Sequence, residues 1–592
     1  MKPSWLDRFD RVRAGRDRGI IFERNTADLV YYPESGIPPC RLKLFLAQLL
    51  APHGYRVASF SLAHGLQELR PPSTSHDEHS NASGPFASIR EARDQRQVLD
   101  HLSRILRRRE EKVALILDYA DDIVPSAQGM TAILNPDQVH AREMLHSWGT
   151  DDGIRGTDNL FILISYEGQI SDLLTRGGSG FQRITIDLPS LPERGSFIEF
   201  LCSLRAERRR TDIGELAPNL TPDELARITS GVPYTEIEDL FRHAAAVSKP
   251  VDREMVRERK ARAIDQLCRG MVQVHEPLIG FESVKGLRHA VEHLRALVPL
   301  FRSGSRSVPR GILLIGVPGC GKSHLVLAFA KELGFPCLAM RMVREGLVGA
   351  SERNLEQVLW VAANLKPCLI WMEEIDQVLG RRGGGQSLSG GVEERLMGRI
   401  WEFMGDDSNR GVYWIATSNR PDLLDPATLD RFQRVVPFLH PTPTEVAELL
   451  PTVANQVGRK LADDVDVSEI AHLPSLRNPT VRALQEIVGM AGTWADQDNG
   501  QPDSPVTREQ LRAAVLDFKP NYDPDQHQFI ALTAIQMTPS TSLLPWMGRN
   551  GKRPDAELPD YLDGIVDHQT GGIDHAALNN RLHELALRLR GR

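Results

Sequence analysis

The amino-acid sequence predicts an α/β protein built on parallel sheets, and two observations support this prediction. Apolar runs such as "NLFILISYE" (159–167) and "GILLIG" (311–316) are continuous, which is typical of strands covered on both faces. Helical patterns separate these runs along much of the chain. The 592 residues are too many for a single hydrophobic core, so we expect about three or four folded units.

Composition narrows the class of protein. The chain is 41% hydrophobic and 25% charged, and no apolar run approaches the ~18–20 residues of a membrane span. The N-terminus, "MKPSWLDRFDRVRAGRDRG", lacks the apolar segment of a secretory signal. Six cysteines without CxxC spacing disfavour a zinc site and fit a reducing compartment. We expect a cytoplasmic protein, and the net charge of −7 does not favour a nucleic-acid partner.

The first 250 residues contain three apolar strands, each followed by polar residues or prolines. The stretches that contain a strand and the residues after it are "KVALILDYADD" (112–122), "NLFILISYE" (159–167) and "FQRITIDLPSLPE" (181–193). The stretch "PPSTSHDEHSNASG" (71–84) predicts a mobile loop. Residues 251–275 are highly charged and helix-permissive, and we interpret them as a linker helix whose arginines face solvent.

A second series of strands and helices begins near residue 276. It predicts a large α/β subdomain over 276–440, a small helical lid over 441–520 and a C-terminal tail over 521–592 that ends in a helix. "RRGGGQSLSGG" (381–391) predicts a flexible loop. The strands are "GILLIG" (311–316), "PCLAMRM" (336–342), "CLIWMEE" (368–374), "GVYWIATSN" (411–419) and "RVVPFLH" (434–440).

The octet "GVPGCGKS" (316–323) lies between a predicted strand and a predicted helix, which is the context of a phosphate-binding loop. Its glycines let the backbone turn N–H groups toward phosphate, and the helix points its positive end at the same anion. Lys322 is expected to reach the β- and γ-phosphates, and Ser323 to ligate Mg²⁺. The predicted ATP-binding residues are Gly316, Val317, Pro318, Gly319, Cys320, Gly321, Lys322, Ser323 and His324.

Acidic and polar residues follow two later strands. "LIWMEEID" supplies Glu373, expected to hold Mg²⁺, and Glu374, expected to polarise the attacking water. "IATSN" places Asn419 at the end of the next strand, where its side chain could orient that water.

The phosphate loop, the acidic strand end, "GASERNLEQVLWVAANLKPCLIW" (349–371) and "ATSNRPDLLDPATLDRF" (416–432) together resemble the AAA ATPase family of the AAA+ superfamily. "IGFESVKGL" (279–287) resembles the family segment that lies against adenine, and the similarity covers about 276–520. The resemblance implies a P-loop NTPase core with a helical lid, ATP hydrolysis to ADP and phosphate, and a homo-oligomeric ring.

The same resemblance implies roles for three further residues. Asn419 resembles sensor 1, Arg431 resembles the arginine finger that reaches into a neighbouring subunit's site, and Arg482 resembles the nucleotide-sensing face of the lid. A helical surface arginine is the alternative for Arg482. The finger acts between subunits, so a hexamer is implied.

Three departures from the family pattern bear on activity. Glu373 replaces the usual Asp, so hydrolysis could be slow. Asp430 stands where the family often has a second arginine, for which Arg434 is a candidate substitute. Leu347 stands where an aromatic pore-loop residue is expected, and leucine grips a polypeptide with less rigid area than an aromatic ring. Threading of a substrate is therefore less well supported than ATP binding.

The first half of the sequence resembles a degenerate repeat of the second half. "VALILDYADDIV" (113–124) matches "CLIWMEEIDQVL" (368–379), "LFILISYE" (160–167) matches "VYWIATSN" (412–419), and "FQRITIDLP" (181–189) matches "FQRVVPFLHP" (432–441). The matches place Asp118 opposite Glu373, Tyr119 opposite Glu374, Asp121 opposite Asp376 and Glu167 opposite Asn419.

The upstream copy has no phosphate loop. "LVYYPESGIPPCRLKLFLAQLL" (29–50) has a strand–turn–helix pattern without Gly-Lys-Ser. We therefore predict that residues 1–250 form a degenerate AAA-like domain that binds ATP poorly and serves as scaffold, ring-assembly or docking module. An unrelated α/β domain is the alternative.

This organisation, with "LLPW" (543–546) near the end, also resembles a bacterial and plastid group of AAA proteins, some of which accompany contractile injection systems. Three functions follow as hypotheses. The first is a ring ATPase that remodels or disassembles protein complexes through an unknown protein substrate or adaptor. The others are a nucleotide-gated scaffold with little turnover and a nucleic-acid motor or loader.

Overall fold

The structure is a computed structural model that describes residues 2–69, 86, 94–126, 134–208, 211–340, 350–379, 390–548, 551–553 and 556–590. The chain divides into two compact units, Met1–Ile264 and Asp265–Arg592. The loop predicted at 71–84, most of the loop predicted at 381–391 and the pore-loop position Leu347 lie outside the described residues.

The first unit is built on a sheet with the strand order β5-β4-β6-β7-β1-β8. Neighbouring strands are parallel, except that β5 is antiparallel to β4 at one edge. A separate antiparallel hairpin, β2 and β3, follows β1. The strands are β1 Gly19–Arg24, β2 Leu29–Tyr32, β3 Ile37–Arg41, β4 Tyr55–Ser61, β5 Gly65–Leu69, β6 Lys112–Leu117, β7 Leu160–Ile164 and β8 Phe181–Ile186.

Helices cover both faces of this sheet, as the continuous apolar strands predict. One face packs around Leu99 and Trp148, and the other around Phe9 and Phe45. The helices of this unit are α1 Ser4–Ala14, α2 Leu42–Leu50, α3 Gln95–Leu106, α4 Ala120–Ile123, α5 Pro136–Thr150, α6 Asp152–Arg155, α7 Asp172–Thr175, α8 Leu191–Arg208, α9 Pro222–Ile228, α10 Tyr234–Ala246 and α11 Arg253–Leu267. The last four share a core of their own.

The segment predicted to be a linker helix is packed structure. Val256 of α11 is buried in the core of the four-helix group, and Arg259 pairs with Glu236 and Asp239 of α10. A strand of the second unit, β9 Val272–His275, occupies the end of the same segment. The charged composition of 251–275 concealed the apolar stripe of α11, so the linker interpretation is corrected.

The second unit repeats the sheet of the first. Its strand order is β14-β10-β13-β12-β11-β9, parallel throughout except for β9 at one edge. We number the five parallel strands of each sheet by their order along the chain. Read across the sheet, both units then have the order fifth, first, fourth, third and second, followed by an antiparallel edge strand. This shared order supports the internal repeat. The further strands are β10 Gly311–Gly316, β11 Cys337–Met340, β12 Cys368–Met372, β13 Val412–Ser418 and β14 Arg434–Phe438.

The helices of the second unit include a separate small bundle, α18 to α21, which packs around Leu449, Leu484 and Leu511. This bundle lies where the helical lid is predicted. The helices are α12 Arg288–Arg302, α13 Lys322–Leu333, α14 Ala350–Leu365, α15 Ile375–Leu379, α16 Gly390–Gly405, α17 Pro426–Leu429, α18 Pro443–Gln456, α19 Val467–Ala471, α20 Val481–Asn499, α21 Arg508–Asp517, α22 Pro524–Met537 and α23 His575–Arg590. A short hairpin pairs β15 Met547–Gly548 with β16 Gly551–Lys552.

The segment predicted to be a C-terminal tail completes the core of the second unit. Helix α22 packs against β10 and β14, and its Ile530 and Leu532 share one apolar core with Leu314 and Phe438. Trp546 is buried, and its indole nitrogen donates a 3.0 Å hydrogen bond to the carbonyl of Gly571. The sequence predicts the terminal helix of this segment but not the packing of α22 and Trp546.

The first unit also corrects the placement of one strand. The strand that occupies the position of β10 is β1, between β7 and β8, whereas 29–50 contains the hairpin and then α2. The short apolar run of β1, "GIIF", stands among charged residues and was missed. The segment from Asn25 to Arg41 thus lies where the second unit has its phosphate loop.

Candidate functional site

The loop between β10 and α13 has the geometry of a phosphate-binding loop. Gly316, Gly319 and Gly321 have φ angles of 133°, 74° and 90°, in the region that favours glycine. A Cβ added at Gly316 would lie 2.1 Å from the carbonyl oxygen of Phe438, so the strand and loop can approach this closely only without a side chain.

Lys322 is the first residue of α13 and is 6% exposed. Its Nζ donates hydrogen bonds of 2.8 Å to the carbonyl oxygens of Gly316 and Val317. Burial lowers the pKa of Lys322 to about 8, although the nearby Asp376 and Glu374 act to raise this pKa. An anion bound in the loop would restore the charged form.

Glu374 and Asn419 meet at the carboxyl edge of the sheet. The Asn419 side-chain amide donates a 2.9 Å hydrogen bond to Glu374 Oε1, and the Glu374 N–H donates to Thr417 Oγ1 at 3.2 Å. Glu374 has a φ of 47°, a conformation that a non-glycine residue seldom adopts and that is typical of functional positions. The Asn419 N–H in turn donates to Asp376 Oδ1 at 3.1 Å.

These groups face one cavity of about 360 Å³. The cavity brings together most of the predicted nucleotide-binding residues, the carboxylate of Glu374, Asn419 and the lid residue Arg482. Its lining residues are Ser283, Val284, Lys285, Gly286, Leu287, Pro318, Gly319, Cys320, Gly321, Lys322, Ser323, His324, Glu374, Asn419, Leu439, Pro441, Leu449, Thr452, Val453, Gln456, Val481, Arg482 and Gln485.

The lid contributes more of this cavity than the sequence indicated. Arg482 is the second residue of α20, and its N–H donates to the carbonyl of Gly319 at 3.3 Å, so the start of the helix touches the phosphate loop. Leu449, Val453 and Gln456 of α18 also line the cavity. Their helical spacing was the available signal, but it is the same as that of an ordinary core stripe.

Two predicted site residues lie apart from the cavity. Glu373 is exposed and is not among the lining residues. Arg431 is also exposed, and within the described residues its side chain makes no hydrogen bond or ion pair with the rest of this chain. Nearby Arg434 donates a hydrogen bond to the backbone carbonyl of Gln433 at 2.9 Å.

The residues present fit a magnesium nucleotide. The cavity volume is within the range of small-ligand sites, and the N-terminus of the 12-residue helix α13 opens into it. In the part of the chain that the structure describes, no group of three His, Cys, Asp or Glu side chains could hold a metal alone. Ser323 lines the cavity, so a metal here would depend on phosphate oxygens as further ligands.

The first unit reproduces this edge without the phosphate loop. Tyr119, opposite Glu374 in the repeat, also has a positive φ, 55°. Asp121 accepts a hydrogen bond from the Glu167 N–H at 3.1 Å, as Asp376 does from Asn419. The aligned positions therefore share backbone conformation and hydrogen bonding.

The strand order, the glycine-rich loop before α13 and the acid at the next strand edge define a P-loop nucleotide-binding domain. Comparison with protein families agrees. Residues 312–439 match the ATPase family associated with various cellular activities (AAA). Residues 1–187 match the AAA+ chaperone N-terminal Rossmann-like domain, and residues 192–269 match the AAA+ chaperone second helical domain. The chain therefore carries two AAA+ chaperone domains followed in sequence by an AAA ATPase domain. These matches confirm the predicted fold class and the resemblance to AAA ATPases.

Curated relatives point the same way. The chain is 26% identical over 441 residues to a Cell division cycle protein 48 homolog of Archaeoglobus fulgidus, covering 68% of this chain and 57% of that protein. It is 27% identical over 423 residues to Protein SAV of Sulfolobus acidocaldarius, covering 64% and 52%. It is 32% identical over 216 residues to an ATP-dependent zinc metalloprotease FtsH of Thermus thermophilus, covering 34% of each chain. The chain thus spans between a third and somewhat over half of these relatives.

The described helices include none that is both long and apolar enough to cross a membrane.

Proposed function

We propose that the protein is an ATPase that assembles into a ring, a hexamer by family resemblance, and remodels or disassembles protein complexes in the cytoplasm. The observation that carries this proposal is the meeting of Lys322, Glu374, Asn419 and Arg482 around one cavity. Lys322 and Arg482 belong to different helices, and Glu374 and Asn419 follow different strands, so the cavity joins the phosphate loop, the acidic strand edge and the lid.

The chain's own residues supply binding and proton transfer. Lys322 and the loop N–H groups bind the phosphates, and Arg482 holds the lid against them. Glu374 accepts a proton from the attacking water, and Asn419 fixes the carboxylate for this task. The magnesium nucleotide supplies the phosphoanhydride bond that is hydrolysed. Ser323 would hold the metal directly, and Glu373 would hold it through water.

The position of Arg431 supports the proposed ring. Its exposed guanidinium lies outside the cavity of its own chain, and such a group can stabilise transferred phosphate in an adjacent subunit. Closing the lid around the nucleotide would move α18 and α20 against the sheet. A ring would pass this motion to a bound protein substrate or adaptor.

A nucleotide-gated scaffold with little turnover is the second candidate. The exposed position of Glu373, outside the cavity, favours it because a poorly held metal slows phosphoryl transfer.

Phosphate release and ATP titration test the proposal together. Lys322→Ala should abolish ATP binding, whereas Glu374→Gln should bind ATP and lose at least ~100-fold in turnover. Lys331→Ala is the matched control, since Lys331 is an exposed lysine of the same helix. Unchanged ATP affinity in Lys322→Ala would contradict the site. Wild-type protein that binds ATP without measurable phosphate release would favour the scaffold.

A further inference from the structure

Two charged groups of the first unit occupy positions that correspond, in the order of strands and helices, to the nucleotide site of the second unit. Asp28 follows β1, in the segment that stands in place of the phosphate loop, and is 3% exposed. Lys43 is the second residue of α2, the helix that corresponds to α13. The partners of both groups lie within the first unit.

The carboxylate of Asp28 binds the start of α10. It accepts hydrogen bonds from the N–H groups of Tyr234 at 2.9 Å and Thr235 at 2.8 Å, and from the Thr235 hydroxyl at 2.8 Å. Asn25 Nδ2 and the Leu29 N–H donate to the same carboxylate from its own segment, at 3.0 Å and 2.8 Å. Pro233, at the N-cap of α10, makes no side-chain cap, so Asp28 takes over that task from 206 residues away.

Helix α10 corresponds to α20 of the lid. In both helical groups the fourth helix follows an isolated parallel bridge, Leu216 with Val251 and Leu461 with Val506. In the second unit the start of α20 reaches the phosphate loop through the Arg482 N–H. In the first unit the start of α10 instead meets a carboxylate that is part of the chain.

A lysine of the first unit pairs with the acid that directly follows β6. Lys43 Nζ donates a 2.8 Å hydrogen bond to Asp118 Oδ2, and the Tyr166 hydroxyl donates to Asp118 Oδ1 at 2.8 Å. Asp118 is 1% exposed and stands opposite Glu373, the residue assigned to the metal. An ammonium therefore neutralises the acid at the position where a metal ion would serve.

We propose that the first unit carries a built-in substitute for a magnesium nucleotide. The Asp28 carboxylate holds α10 and its helical group against the sheet as bound phosphate would hold a lid, and the Lys43 ammonium replaces the metal at Asp118. The first unit is consequently held closed at all times, with its helical group insensitive to ATP. This inference does not depend on hydrolysis in the second unit.

Hydrogen exchange on the full chain tests the role of Asp28. In Asp28→Asn, exchange of the Tyr234 and Thr235 N–H groups should be about 10-fold faster or more, because the amide is uncharged and keeps one acceptor oxygen where the carboxylate has two. Exchange in β6 should stay slow. The matched control is Asp94→Asn, since Asp94 caps α3 through the Gln97 N–H at 3.0 Å and lies away from α10. It should change exchange at α3 alone.

Unchanged exchange at the start of α10 in Asp28→Asn would overturn the proposal. If Asp28→Asn unfolds the whole unit, as loss of protection in β6 would show, Thr235→Ala decides instead. It removes one hydroxyl donor and should speed exchange at the start of α10 about threefold while β6 remains protected. No change there would overturn the proposal.

Adding magnesium and ATP to the wild-type chain gives a second, independent measurement. Exchange at the start of α10 should be the same with and without ATP, because its cap is covalently part of the chain. Slower exchange at Tyr234 and Thr235 with ATP would overturn the proposal.

Discussion

Asn419 Nδ2 lies 2.9 Å from Glu374 Oε1, and this hydrogen bond joins the ends of two neighbouring parallel strands. Glu374 also accepts a hydrogen bond from the side chain of Gln377. The carboxylate is thus oriented before any nucleotide enters, and its backbone, at a φ of 47°, is fixed by the Thr417 contact. A base that is already positioned avoids the cost of ordering it during the reaction.

Replacing Asn419 should therefore impair turnover more than binding. We expect Asn419→Ala to lower kcat by about 10- to 100-fold, since it frees the Glu374 carboxylate to rotate, with ATP affinity within about threefold of wild type. Steady-state phosphate release and ATP titration measure the two effects. Asn499→Ala, at the exposed end of α20, is the control. A loss of affinity equal to the loss of kcat would assign Asn419 to binding.

The pKa of Lys322 predicts a pH dependence of ATP affinity. Burial holds this pKa at about 8 in the free protein, below the ordinary 10.5, so the ammonium is charged below pH 8 and the affinity should be flat there. Above pH 8 binding must first take up a proton, so Kd should rise by up to about tenfold for each pH unit. Titration of a fluorescent ATP analogue between pH 6.5 and 9.5 measures it. Lys322→Arg, which keeps its charge throughout this range, should remove the dependence.

Arg431 should act on the site of a neighbouring subunit. Arg431→Ala is expected to keep ATP affinity and to lower turnover by about 10³-fold or more, the usual contribution of an arginine finger. Arg588→Ala, on α23, is the control, and Arg434→Ala tests whether the nearby arginine serves instead.

Mixing variants shows whether Arg431 acts between subunits. Lys322→Ala subunits cannot hydrolyse ATP but still present Arg431. Added to Arg431→Ala subunits, they should restore part of the turnover. Activity that stays at the sum of the two separate preparations would place the arginine in its own subunit's site or outside catalysis.

Trp546 predicts that the C-terminal segment stabilises the ATPase core. Because its side chain is 1% exposed within the core that includes Leu314, Trp546→Ala should lower the free energy of unfolding of the second unit by about 3–5 kcal/mol. Hydrogen exchange at the amides of β10 measures this loss. Leu587→Ala, at a side chain 56% exposed on α23, should cost less than about 0.5 kcal/mol. If only the amides of 521–590 exchange faster, the segment is an appendage.

The sequence predicted the second unit better than the first for physical reasons. The glycines of 316–321 and the apolar run of β10 are local signals, and Glu374 and Asn419 end strands that parallel pairing must bring to one edge. Repeating that order in the first half located β6, β7 and β8. Their hydrogen bonds at Asp121 and Glu167 were then consistent with the alignment.

Features that depend on distant partners left no local signal. Asp28 stands in an ordinary polar turn, and only folding brings it to Tyr234. The stripe of α11 is masked by arginines, and the apolar residues of α22, such as Ile530 and Leu532, lie on more than one side of the helix and so show no single apolar face. A buried helix needs neighbours on several faces, and sequence periodicity does not identify them.

The placement of α22 and α23 has a consequence for biosynthesis. Strands β10 to β14 leave the ribosome well before the helices that cover Leu314 and Phe438. The apolar face of the nascent ATPase core therefore stays uncovered until residues 521–590 have been synthesised. During that interval we expect the uncovered apolar face to favour binding by general chaperones, whereas the first unit, already translated, is free to fold.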